Sequence, residues 1–70
     1  MDRAAVKSSN IKSVGYDPKT KVLEVEFHTG AVHQYADVSP QKHRAMMRAK
    51  SVGGYFSVNV KNFHDSTQVA

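Results

Sequence analysis

Val22-Leu23-Glu24-Val25-Glu26-Phe27-His28-Thr29-Gly30 decides the fold class of this chain. Leu23, Val25 and Phe27 fall on one face and Glu24 and Glu26 on the other, the period of two that a half-buried antiparallel strand requires. A three-residue loop of His28-Thr29-Gly30 puts the glycine in the left-handed position of a type I turn with a bulge. Phe27 then faces Ala31, Val25 faces His33 and Leu23 faces Tyr35, with His33 and Tyr35 on the core side. A two-residue Thr29-Gly30 loop would slip the pairing and bury Val32 and Gln34 instead. The first register is expected, because it buries an aromatic ring rather than an amide.

Upstream of that strand, Asp17-Pro18-Lys19-Thr20-Lys21 reads as a turn, since Asp accepts from a downstream backbone N–H and Pro presets φ. Asn10 to Tyr16 carries apolar Ile11, Val14 and Tyr16, a first strand of weak pattern. Met1 to Lys7 shows no period and is expected to be a loose arm. Downstream, Ser39-Pro40 opens a helix with a serine cap and proline at the first helical position. Ala45, Met46 and Ala49 share one face of it, and Gln41, Arg44 and Arg48 the opposite one. Lys42 and Lys50 fall inside the apolar arc, where their stems can lie on the core and lift the ammonium groups to water. Lys50-Ser51-Val52-Gly53-Gly54 ends this helix, with Ser51 capping the next segment. Tyr55 to Phe63 fits two templates: Phe56, Val58 and Val60 alternate as in a strand, whereas Phe56, Val60 and Phe63 recur at helical spacing. Residues 65–70 are polar and expected to fray, which leaves residues 8–64 as the folded domain.

Seventy residues make one small domain, and a chain of this size buries only roughly 60% of the surface its unfolded form exposes. With no cysteine, no disulfide or thiolate–metal staple is available, so stability must come from packing or self-association. No apolar run reaches the length of a membrane span, and Met1-Asp2-Arg3-Ala4-Ala5 leads into no signal-peptide core. The expectation is a soluble, cytoplasmic protein without a membrane partner. The formal charge is +4 and the pI about 9.6, unevenly spread. Between Val38 and His64 lie Lys42, Arg44, Arg48, Lys50 and Lys61 and no acid, a segment whose field attracts polyanions.

The motifs of catalysis do not assemble. Metal sites show short ligand pairs, whereas His28 and His33 flank a turn, His43 sits in the helix and His64 lies near the tail; His33 and His43 are expected as half-buried packed rings. Ser8, Ser9 and Ser51 lack a nucleophile elbow; Ser9 is expected to turn the entry to the first strand. Glu24 and Glu26 share a face where they keep it wet, and Gly53-Gly54 lacks the Lys-Ser/Thr of a phosphate loop. The expectation is a protein that is not an enzyme, with no metal and no cofactor.

Two binding readings remain. Single-stranded nucleic acid is held by basic side chains along its backbone and by aromatic rings that stack on bases. Arg44 and Arg48 one helical turn apart, Lys50 and Lys61 flanking the Gly-Gly corner, and Tyr55 beside it would serve as such a surface; Tyr55 could equally anchor the corner on the sheet. The competing class is a protein-interaction module or homodimer, formed through an open sheet edge, with Lys12, Lys19 and Lys21 guarding that edge.

Taken together, Ser8-Ser9, Ile11, Gly15-Tyr16, Leu23-Glu24-Val25-Glu26-Phe27, Gly30, Tyr35, Val38, Ala49-Lys50-Ser51-Val52-Gly53, Tyr55-Phe56 and Val60 resemble the KTSC domain, named for the C-terminus of some lysyl-tRNA synthetases. The resemblance covers Ser8 to Phe63. It departs at His33, where the family has the first tyrosine of a Tyr-x-Tyr, and at His43, where the helix is usually aromatic. It implies an α+β fold with a helix at Tyr55 to Phe63: a three-stranded antiparallel meander followed by two short helices packed on one face. It also implies occurrence as free-standing bacterial or phage proteins, and RNA binding by way of the fusion to synthetases.

Overall fold

The structure, a computed structural model, describes Met1 to Ala70. Strands β1 (Arg3–Ala5), β2 (Ile11–Asp17), β3 (Val22–Phe27) and β4 (Val32–Tyr35) are followed by helices α1 (Pro40–Arg48) and α2 (Val52–Asn59), then by strand β5 (Ser66–Gln68). The strands form one antiparallel sheet in the order β1-β2-β3-β4-β5. The α+β class holds, but the sheet has five strands rather than the three expected. The extra two come from the segments expected to be loose. Arg3–Ala5 pairs with Ser13 to Gly15, and Ser66–Gln68 pairs with His33 to Tyr35. Three residues are too few to show a period of two, so backbone pairing with a preformed edge makes these strands rather than any pattern of their own.

The central hairpin adopts the expected register, with Leu23 opposite Tyr35 and Val25 opposite His33. Gly30 N–H donates to Phe27 C=O at 2.9 Å and Phe27 N–H to Ala31 C=O at 2.9 Å, and Gly30 has φ +95°, the left-handed geometry that glycine adopts without strain. Ser39 caps α1 by accepting from Lys42 N–H at 3.1 Å, and Ser51 caps α2 by accepting from Gly54 N–H at 2.9 Å. The ambiguous segment is thus helical, beginning at Val52 and closing at Asn59. Asp17 Oδ1 accepts from Lys19 N–H at 2.9 Å, making the expected turn. The turn into β2 belongs to Ser8 rather than Ser9, its Oγ accepting from Asn10 and Ile11 N–H at 3.3 and 3.2 Å.

Ile11, Val14, Leu23, Val25 and Tyr35 on one sheet face meet Val38, Met46, Val52, Phe56 and Val60 from the helical layer. Met46 is the one buried residue of α1, and Ala45 is exposed. The opposite sheet face is not simply wet. Glu24 is only 7% exposed, because Arg3 reaches it across Gly15 and Gln34 Nε2 donates to it at 2.9 Å. A Cβ at Gly15 would lie 2.8 Å from Asp2 C=O, so this close crossing of the N-terminal segment needs the missing side chain.

Candidate functional site

Arg44 and Arg48 lie on the outer face of α1 and are exposed, as are Lys50 just beyond that helix and Lys61 just beyond α2. None of the four meets a carboxylate: both ion pairs of the molecule belong to Arg3, with Glu24 and Glu26. Lys42 departs from its expected course to water. Its half-buried ammonium donates to Asn59 C=O at 3.0 Å and to His64 Nε2 at 2.9 Å, and stands 5.8 Å from the centre of the Phe63 ring. Because an ammonium only donates, His64 Nε2 accepts, so Nδ1 carries the proton and donates to Ala36 C=O at 2.8 Å. This relay ties the tail to both helices and takes Lys42 out of the free charge.

Tyr55 is half-buried against the core, on the flank of α2 about 160° round from Ser57. Lys61, by contrast, lines a cleft with Gly53, Phe56 and Ser57, closed on the other side by Phe27, His33 and Tyr35 from the central hairpin. Tyr55 is thus not among the rings that line this cleft with Lys61. The structure supports the anchoring role for Tyr55 and puts the lysine beside other rings.

That cleft, about 350 Å³, has an aromatic wall. Phe27 meets His33 and Phe56 edge-on at 5.7 Å, and Tyr35 meets Phe56 edge-on at 5.1 Å. The His33 and Tyr35 rings stand 6.3 Å apart and 26° from parallel. Asn10, Thr29, Ser57 and Lys61 make the polar rim, and no acid lines it. Burial pushes the Tyr35 phenol up, keeping it a neutral donor. The sequence signals for this wall are the Tyr-x-Tyr position that His33-Gln34-Tyr35 occupies and the register that turns His33 and Tyr35 inward from β4.

A second histidine stacks on the far side of α1. The His43 ring lies 4.4 Å from Tyr16 at 11°, and the Tyr16 hydroxyl donates to Val38 C=O. Burial, and secondarily Arg44, holds His43 below its ordinary value of 6.5. Burial pushes Tyr16 up, joined by Asp17 and opposed by Arg44. His43 is thus a packing ring, as is His33 in part. No His, Asp and Glu side chains group in threes as metal ligands, and no helix is long and apolar enough to cross a membrane.

Comparison with known proteins adds family evidence. A family model described as the KTSC domain matches residues 7–63. An uncharacterized protein of Stutzerimonas stutzeri is 42% identical over 64 residues, covering 91% of this chain and 90% of that one. A lysine–tRNA ligase of Nostoc punctiforme is 34% identical over 55 residues, which span 79% of this chain but 10% of the ligase. The crystal structure of a KTSC domain protein from Yersinia pestis superposes with a TM-score of 0.95 at 33% identity, covering 99% of this chain and 97% of that one.

Proposed function

The chain belongs to the KTSC domain family, and from that premise we propose that it is a non-catalytic module that binds single-stranded nucleic acid, RNA first, through phosphate contacts. The observation that carries the reading is the free charge of Arg44, Arg48, Lys50 and Lys61, none of which is paired with a carboxylate. Unpaired cations on one segment draw a polyanion and release its counterions on contact. The relative named as a lysine–tRNA ligase supports RNA over DNA, since a domain carried by such an enzyme works beside tRNA.

Binding to mixed-sequence single-stranded RNA, followed by fluorescence anisotropy, should weaken steeply as salt rises, with each phosphate contact adding about 0.7 to the slope of log affinity against log salt. Arg44→Glu with Arg48→Glu should flatten that slope and abolish binding at physiological salt. No binding at low salt, or a double variant that binds like the parent, refutes the reading. Exposed Val58 and Phe63, at 69% and 71%, favour self-association as the second reading. A molecular mass that rises with concentration while RNA is ignored would select it.

A further inference from the structure

We infer that the cleft between α2 and the central hairpin is a pocket for one unstacked nucleobase, its edge met by Tyr35 and His33 and its phosphate by Lys61. This rests on the phosphate-binding reading and adds to it a second, separable contact.

The first ground is an unused hydroxyl. Tyr35 is 5% exposed, yet its hydroxyl makes no hydrogen bond within the protein, while the Tyr16 hydroxyl is satisfied by Val38 C=O. No buried side-chain oxygen or nitrogen is left without a partner, so the Tyr35 hydroxyl is not sealed in the core and keeps some contact with solvent, and the residue lines the cleft. A largely buried phenol usually finds a partner. Here the partner must come from outside the chain. The ring of His33, half-buried on the same wall, also makes no hydrogen bond to the protein. A neutral imidazole offers one donor and one acceptor, and a phenol can do either, so together they match the mixed donor–acceptor edge of a base.

The second ground is the shape of the wall and the charge of its rim. A base is planar and favours aromatic faces, and stacking of this kind holds unstacked single strands without demanding sequence. Phe27 and His33, both half-buried, supply that surface, with buried Phe56 and Tyr35 completing the wall, in a cavity of about 350 Å³, within the roughly 300–1,000 Å³ of small-molecule sites. Lys61 is the one ion at the mouth, and no carboxylate lines the cleft to repel a phosphate. A purely apolar guest would use the rings but leave the lysine and the two polar groups unmatched.

The test is NMR titration of the whole chain with adenosine and uridine tetranucleotides at low salt, repeated with a tetranucleotide lacking bases. Signals of His33, Tyr35 and Lys61 should move on saturation. Tyr35→Phe, which removes an unpartnered hydroxyl and so should fold normally, should bind about fivefold to tenfold more weakly with its salt slope unchanged. The base-free strand, whose phosphates can still meet Lys61, should leave the His33 and Tyr35 signals still. Shifts confined to α1, with Tyr35→Phe binding like the parent, overturn the pocket and leave the phosphate reading standing. No binding of any tetranucleotide overturns both. Cleft shifts caused by short peptides but not by nucleotides overturn it in favour of a protein guest.

Discussion

Glu24 is held from two sides, by Arg3 on one carboxylate oxygen and Gln34 on the other, while Ser13 Oγ donates to neighbouring Glu26 at 2.8 Å. The Gln34 bond foremost, with Arg3, keeps the Glu24 carboxyl below its ordinary 4.5, and burial acts against them. A carboxyl depressed in the folded state is a linkage statement: its contribution is full above about 4.5, declines as pH falls through the lower folded value, and is gone beneath it. Glu24→Gln should therefore flatten the acid limb of stability. Urea midpoints measured from pH 7 to pH 3 check this, and parallel curves for parent and variant would refute it. Alternation alone assigns Glu24 to solvent. What reverses the assignment is Arg3, a residue in a stretch with no period, whose route over Gly15 is a tertiary event that no local pattern records.

Elements differ in how much of themselves the chain reveals. The β3–β4 hairpin is readable because a glycine that must take positive φ pins the loop, and the loop pins the register. β2 carries a weak pattern, and the register shift between Ile11 and Ser13 explains why. One extra residue in β2 turns the core spacing into Ile11, Val14, Tyr16, a step of three and then of two. In the same way α2 is ambiguous between periods, and its Ser51 cap settles it. Helix α1 presents a prediction of its own through the His43 ring stacked on Tyr16. His43 is held below 6.5 by burial first and Arg44 second, so the unfolded chain takes up the proton before the folded one does. Stability is then full above about 6.5, falls as pH drops toward the folded value, and levels off below it. His43→Phe keeps a ring on Tyr16 and removes the proton. It should erase the step below pH 6.5 in chemical denaturation while leaving stability at pH 8 within about 1 kcal/mol of the parent. A step that survives in the variant would assign it elsewhere.

At the scale of the whole molecule, the sheet is closed at one side by a strand from the very end of the chain. The exposed basic side chains are legible in the sequence because charge needs no fold to be counted, but the cleft is not. Its lining joins Asn10, the central hairpin and α2, three stretches that only the tertiary fold brings together. β5 sits on the β4 edge beside that hairpin, through Val69 N–H to Val32 C=O at 2.8 Å and Val32 N–H to Ala70 C=O at 2.9 Å. Removing residues 66–70 would leave β4 as the edge, with buried Val32 and Tyr35 on a strand whose backbone groups are unpaired. The three bonds between Val32 and residues 69–70 are each worth about 0.5–1.5 kcal/mol net, so their loss alone should make the shortened chain about 1.5–4.5 kcal/mol less stable. A bare edge also pairs readily with another copy, so its sedimentation coefficient should rise with concentration where that of the full chain rises less. Because His64 and its bond to Lys42 remain, the helices should stay docked, and circular dichroism should keep its helical signal. A truncated chain with unchanged stability and the parent's concentration dependence would show that β5 decorates the sheet without protecting it.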